Sequence, residues 1–161
     1  MATDSQKTWT VLDLLNWTRE YFQQSGLDSP RLAAEVLLAH VLNCARIELY
    51  ARFNQQPAAD QRAAFRELVR EAAKRVPVAY LVGHKEFYSL RFRVTPEVLV
   101  PRGETEILVT EAIAHLARMP DAESAWDVCT GSGCVAVALA HEVPGLKVLA
   151  TDLAGAAVAV A

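Results

Sequence analysis

The sequence predicts a mixed α/β chain in three stretches. Residues 1–83 read as a helical N-terminal domain, 84–103 as a β-hairpin linker, and 104–161 as the first part of a domain built on a parallel sheet. Three observations carry this reading. Apolar residues recur at helical spacing through the first half. Leu90, Phe92 and Val94 then alternate with Arg91 and Arg93, which is strand periodicity. From Ala125 onward strand and helix patterns alternate, the mark of a βαβ unit with a right-handed crossover.

In "TVLDLLNWTREYFQQSG" Val11, Leu14, Leu15, Thr18 and Phe22 form one helical face, and Gly26 is placed to stop the helix. "SPRLAAEVLLAHVLN" follows, with Ser29 expected as N-cap and Pro30 at the first helical position. "RIELYARF" predicts a short third helix. "PAADQRAAFRELVREAAKRV" predicts a fourth, with Phe65, Leu68, Val69, Ala72 and Val76 on one side. Pro77 should end it, and "VAYLVG" fits one further turn or two. Val98 and Val100 alternate again after a turn at Thr95-Pro96, so the hairpin is expected to pair the 90–94 strand with the segment after it. "ETEILVTEAIAHLARM" returns to helix, with Ile107, Leu108, Ala112, Ile113 and Leu116 expected inward. "SAWDVCT" is a strand, "GCVAVALAHE" a helix, "LKVLATD" a second strand, and "AGAAVAVA" opens another helix. A parallel strand needs cover on both faces and neighbours on its edges. Two strands do not supply that, so the sheet is expected to continue past Ala161, the chain being a fragment.

The 161 residues are 52% apolar and 22% charged, a balance suited to a packed core. A net charge of −3 argues against binding nucleic acid by general phosphate neutralisation. No apolar run is long enough to cross a bilayer. "MATDSQKTW" lacks the basic start and apolar block of a signal peptide. Cys44, Cys129 and Cys134 form no CxxC pair, and His40, His84, His115 and His141 lack ligand spacing, so no metal is expected. The expected setting is a reducing cytoplasm. Arg62, Arg66, Arg70 and Lys74 make a basic stripe on the fourth helix. It reads as a solvated face, because Glu67 and Glu71 lie within reach, or as a docking face for an acidic partner or ribosomal RNA.

The stretch "WDVCTGSGCVAVALA", Trp126 to Ala140, carries the chemistry. After a parallel strand the chain must reverse into a helix. Glycines accept the positive φ this needs and let a ligand approach the backbone, while the new helix points N–H groups at it. Asp152 ends the next strand about 20 residues on, where an acid accepts hydrogen bonds from ribose hydroxyls. The plainer reading is a tight turn with a capping Asp. Gly131 to Ala136 formally match GxGxxA, a dinucleotide fingerprint, which keeps an NAD-dependent oxidoreductase open. Asp127 favours another ligand. A carboxylate in an otherwise apolar strand beside the loop suits a cationic amino-acid tail such as that of S-adenosylmethionine, or else it caps neighbouring loop groups.

"RVPVAYLVGHKEFYSLRFRVTPEVLVPRGETEILV", Arg75 to Val109, followed by "WDVCTGSGCVAVALA" and "ATD", resembles the protein-(glutamine-N5) methyltransferases of the HemK/PrmC family. The resemblance covers the whole chain as the family's N-terminal portion. It implies a helical domain that recognises release factors, a hairpin linker and the start of a Rossmann-like, seven-stranded methyltransferase domain. The implied activity is S-adenosylmethionine-dependent methylation of the glutamine of the Gly-Gly-Gln motif in peptide-chain release factors. The implied partner is the release factor alone, with no nucleic acid and no membrane, met by a monomer. Cys129, Thr130, Gly131, Ser132 and Gly133 fall on the family's cofactor loop, and Asp152 on its ribose-binding acid. Cys129 stands where the family usually has Gly, and Gly103 where it has Pro. The family's Asn-Pro-Pro-Tyr clamp for the substrate amide is not in these residues, so no catalytic residue is assigned and the chain alone is expected to be inactive. A non-catalytic release-factor-binding module remains the alternative.

Overall fold

The computed structural model describes residues 8–161; the reading of the first residues as free of a signal peptide lies outside them. The described residues form eight helices and four strands, in one compact unit ending at Val82 and another beginning at Gly83.

The first unit is helical: α1 (Val11–Gln24), α2 (Pro30–Val41), α3 (Glu48–Ala51), α4 (Ala59–Ala73) and α5 (Val78–Val82). Thr10 starts α1 through a reciprocal capping box. Its hydroxyl accepts the Asp13 N–H at 3.2 Å, and the Asp13 carboxylate accepts the Thr10 N–H at 3.0 Å. Gly26 ends the helix at φ +66°, and the Leu27 N–H returns to the Phe22 carbonyl. Ser29 sits at the N-cap position of α2 without capping it. Its φ of +52° leaves the hydroxyl without a cap hydrogen bond, and Pro30 removes one donor that needs a cap. The α1 face emerges as expected, with Val11, Leu14, Thr18 and Phe22 buried. They pack with Leu37, Leu38, Leu49, Phe65 and Val69. On α4, Arg70 and Lys74 pair with Glu67 and Glu71 at 2.7 Å each, and Arg62 donates to the Pro57 carbonyl. Three of the four stripe cations are thus engaged locally, as in a solvated face.

The second unit contains β1 (His84–Phe87), β2 (Leu90–Arg93), α6 (Thr105–Leu116), β3 (Ser124–Val128), α7 (Cys134–Glu142), β4 (Lys147–Thr151) and α8 (Gly155–Val158). The β1–β2 pair is antiparallel and the β3–β4 pair parallel, each a two-stranded sheet. The hairpin departs from the expected pairing. β2 joins the segment before it, through a two-residue turn in which Tyr88 and Ser89 take φ of +49° and +62°. Such left-handed pairs match the twist of the flanking strands. After β2 the chain instead turns at Thr95, whose carbonyl accepts the Val98 N–H. Pro96 has no N–H to give to a ladder.

Helix α6 is rotated relative to expectation. Val109 is fully buried and Ala112, Ile113 and Leu116 pack inward, whereas Ile107 and Leu108 face solvent. Phe87 and Phe92 of the hairpin join Val109 in a core with Cys134, Ala138 and Leu139 of α7. The Glu106 carboxylate accepts the Tyr88 N–H at 2.9 Å, which ties the hairpin turn to α6. The other face of the parallel pair is bare: Trp126, Val128 and Leu149 are all more than half exposed.

Candidate functional site

Strand β3 delivers the chain to the glycine turn, and the end of β4 lies beside it. The Thr130 N–H donates to the Thr151 carbonyl at 2.9 Å, so the two strand ends are pinned together. Three residues in the turn take the left-handed region: Cys129 at φ +64°, Gly131 at +57° and Gly133 at +75°. The two glycines serve different needs. A Cβ at Gly131 would enter open space, so Gly131 is needed for its φ alone. A Cβ at Gly133 would lie 3.1 Å from the Ala161 Cβ, so Gly133 also permits close packing.

Both acids flank the turn. Asp152 accepts the Gly131 N–H at 2.9 Å and the Ala154 N–H at 3.0 Å. These two donors, Ala154 foremost, hold its carboxyl below the usual carboxylate range, so it is ionised at neutral pH. Asp127 accepts the Thr130 hydroxyl at 2.6 Å. The capping role considered for each acid is therefore built. Asp152 caps the turn through two amides, and Asp127 caps a loop hydroxyl in place of a loop N–H.

The residues singled out in the sequence divide by exposure. Thr130 and Ser132 are buried, so their side chains are structural. Cys129 is exposed. The turn and Asp152 meet directly, through the bond to Gly131. Sequence reasoning missed Leu153, whose side chain is completely exposed, 101%, next to Asp152. An apolar residue after a strand-end acid was visible, but its exposure was not. Burial pushes the Cys134 thiol up, and the Cys44 thiol likewise. No group of three or more His, Cys, Asp or Glu among the described residues is arranged to hold a metal ion, and no helix is long and apolar enough to cross a membrane.

What the site offers is a set of ligand-binding groups. Helix α7 opens with N–H groups that no preceding helical turn can accept. The Asp152 carboxylate is ionised and partly exposed, with lone pairs beyond those its two amides use. This donor and acceptor set suits a polar ligand with vicinal hydroxyls. It contains no paired general acid and base.

Comparison with known proteins extends this picture beyond the site. Residues 13–83 match the family model of the PrmC N-terminal domain. A release factor glutamine methyltransferase of Rhodopirellula baltica is 52% identical over 157 residues, which is 95% of this chain and 53% of that protein. The release factor glutamine methyltransferase of Geobacter sulfurreducens is 41% identical over 99% of this chain and 55% of its own length. That of Chlorobaculum tepidum is 40% identical over 97% of this chain and 54% of its own. The chain spans about half the length of these curated relatives. Residues 13–83 thus carry a PrmC N-terminal domain, and along nearly its whole length the chain resembles the N-terminal half of release factor glutamine methyltransferases.

Proposed function

We propose that the protein transfers a methyl group from S-adenosylmethionine to the side-chain amide of a glutamine in the Gly-Gly-Gln motif of a peptide-chain release factor, and that this chain supplies its helical domain and its cofactor turn. The observation that carries the reading is the 52% identity to a release factor glutamine methyltransferase along nearly the whole chain, glycine turn included. The second unit is then the beginning of a Rossmann-like, seven-stranded domain. The first unit is the part that recognises the release factor. A monomer in the cytoplasm fits this reading.

The residues at the turn fit the cofactor. Asp152, anionic and partly exposed, accepts hydrogen bonds from ribose hydroxyls while still holding Gly131 and Ala154. Leu153 offers an apolar surface beside it for a flat base. The backbone of Cys129, Thr130, Gly131, Ser132 and Gly133 lines the approach. Asp127 faces the cationic tail while it holds Thr130. The cofactor, when bound, supplies an electrophilic methyl group. An amide nitrogen is a weak nucleophile, so the protein acts by holding amide and methyl donor in line, which can lower a barrier by about 7–11 kcal/mol in well-oriented systems. None of the 161 residues is assigned as a base, and the chain alone is expected to transfer no methyl group.

Calorimetry tests the assignment. The complete protein should bind S-adenosylmethionine and S-adenosylhomocysteine and ignore NAD. Binding of NAD with no response to either adenosyl ligand would replace this reading by the oxidoreductase one.

A further inference from the structure

The hairpin has an open edge with an unusual chemical character. In an antiparallel pair, hydrogen-bonded and non-hydrogen-bonded residue pairs alternate. The Val94 N–H donates to the Gly83 carbonyl at 3.1 Å, which makes that pair a bonded one. The register runs His84↔Arg93, Lys85↔Phe92, Glu86↔Arg91 and Phe87↔Leu90. Alternation therefore bonds Lys85 with Phe92 and Phe87 with Leu90. The main-chain N–H and C=O groups of Arg91 and Arg93 point the other way, off the outer edge of β2. Among the described residues nothing takes them up.

The side chains of the same two residues add charge. Arg91 and Arg93 are both exposed and, two apart on a strand, share a face. Neither forms an ion pair with a described carboxylate. Glu86 lies opposite Arg91 in the register and makes no salt bridge with it; the Arg91 guanidinium rests instead 3.0 Å from the His84 Nδ1. At alternate residues, then, the edge offers a strand ladder and a cationic fork together.

We propose that the outer edge of β2 docks an extended acidic segment of a protein partner as a third strand, with carboxylates at alternate positions facing Arg91 and Arg93. Opposite side chains on neighbouring strands lie about 5 Å apart on one face, so alternate acids match alternate arginines. Guanidinium and carboxylate form paired charge-assisted bonds, while the main chain closes the ladder. A nucleic-acid strand would satisfy the guanidiniums but brings no alternating N–H and C=O for the edge. A second copy of the hairpin would bring arginine against arginine, the usual way a protein discourages self-pairing. An acidic strand meets neither obstacle. The site shares no residue with the glycine turn, so it stands independently of the methyl-transfer reading.

A short synthetic peptide alternating glutamate with valine is the probe. A lysine–valine peptide and a single-stranded oligouridylate serve as rivals. Residue-resolved hydrogen exchange on the chain at low salt should show the Arg91 and Arg93 amides slowed at least about tenfold by the acidic peptide, with Phe92, already bonded to β1, little changed. The double variant Arg91→Glu/Arg93→Glu should keep Phe92 protection, lose the acidic peptide by at least about tenfold, and gain the lysine peptide. Unchanged exchange at Arg91 and Arg93 with the acidic peptide in excess overturns the proposal. So does undiminished binding of that peptide by the double variant, or binding of oligouridylate in preference to it.

Discussion

Thr18 lies fully buried in the helical core, and its hydroxyl has no hydrogen-bond partner. A buried polar atom left unpaired costs about 1–3 kcal/mol. Thr18→Val keeps the shape and removes that cost, so it should raise the stability of the first unit by about 1 kcal/mol, read as a higher urea midpoint at unchanged slope. A lower midpoint would show that the hydroxyl is satisfied. At the glycine turn the same reasoning runs the other way. Asp152 is engaged by two amides and still open to ligand, so Asp152→Ala in the complete protein should weaken S-adenosylhomocysteine binding at least about tenfold. Unchanged affinity would leave Asp152 only its capping role. Both acids and both glycines of the turn were legible in the sequence, because a sharp reversal after a parallel strand needs positive φ and an acid about 20 residues on has a defined place. The left-handed Cys129 was not, since nothing about a cysteine announces φ of +64°.

At the scale of elements, α2 and α3 are joined by one polar network. The buried Glu35 carboxylate accepts from the Tyr50 hydroxyl at 2.6 Å and from the Arg31 Nε at 2.8 Å. Burial pushes this carboxyl up, but the bonds from Tyr50 and Arg31 outweigh it and hold it below its usual 4.5. A folded-state value below the unfolded one gives stability that is fully present above about pH 4.5 and fades as pH falls through the lower folded value. Tyr50→Phe should cost about 1 kcal/mol at neutral pH and flatten that acid dependence, which urea titrations across pH would read. An acid profile identical to that of the parent would exclude Glu35 as its source. The hairpin shows where periodicity misled. Leu90, Phe92 and Val94 alternate visibly with Arg91 and Arg93, but their partner strand is His84-Lys85-Glu86-Phe87, in which only Phe87 is buried. Val98 and Val100 carried the stronger pattern and form no strand. Apolar residues of helix α6 are spread around it with Thr, Glu and His between them, so the sequence held no clear phase to tell Val109 from Ile107 and Leu108. The turn itself holds two residues that adopt positive φ poorly, so Ser89→Gly should stabilise the hairpin by up to about 1 kcal/mol.

The molecule as a whole places unequal cores in its two units. In the first, five helices close around Phe22, Leu37, Leu38, Leu49 and Phe65, all buried to 2% exposure or less. In the second, α7 packs on one face of the two-stranded parallel sheet, with α6 and the hairpin aromatics joining it in one core, and the opposite face shows Trp126, Val128 and Leu149 to solvent at 66%, 59% and 60%. Parallel sheets are ordinarily covered on both faces. Leaving such a side chain in water forgoes about 1.5–3 kcal/mol, and three of them forgo a sum comparable with the whole stability of a small domain. The 161-residue chain should therefore unfold in two steps. Hydrogen exchange should find the amides of Leu37 and Leu38 strongly protected and those of Val135 and Val148 weakly protected. Urea should remove the remaining protection at Val135 and Val148, in the second unit, before it removes that at Leu37 and Leu38 in the first. Adding whatever covers the bare face should bring the two transitions together, because the sheet would gain its second layer. A single cooperative transition of the chain alone, with equal protection at Leu38 and Val148, would show that the parallel pair is stable with one face exposed. The tie between Asp152 and Gly131, together with the packing of Ala161 on Gly133, would then be the contacts to test as its source.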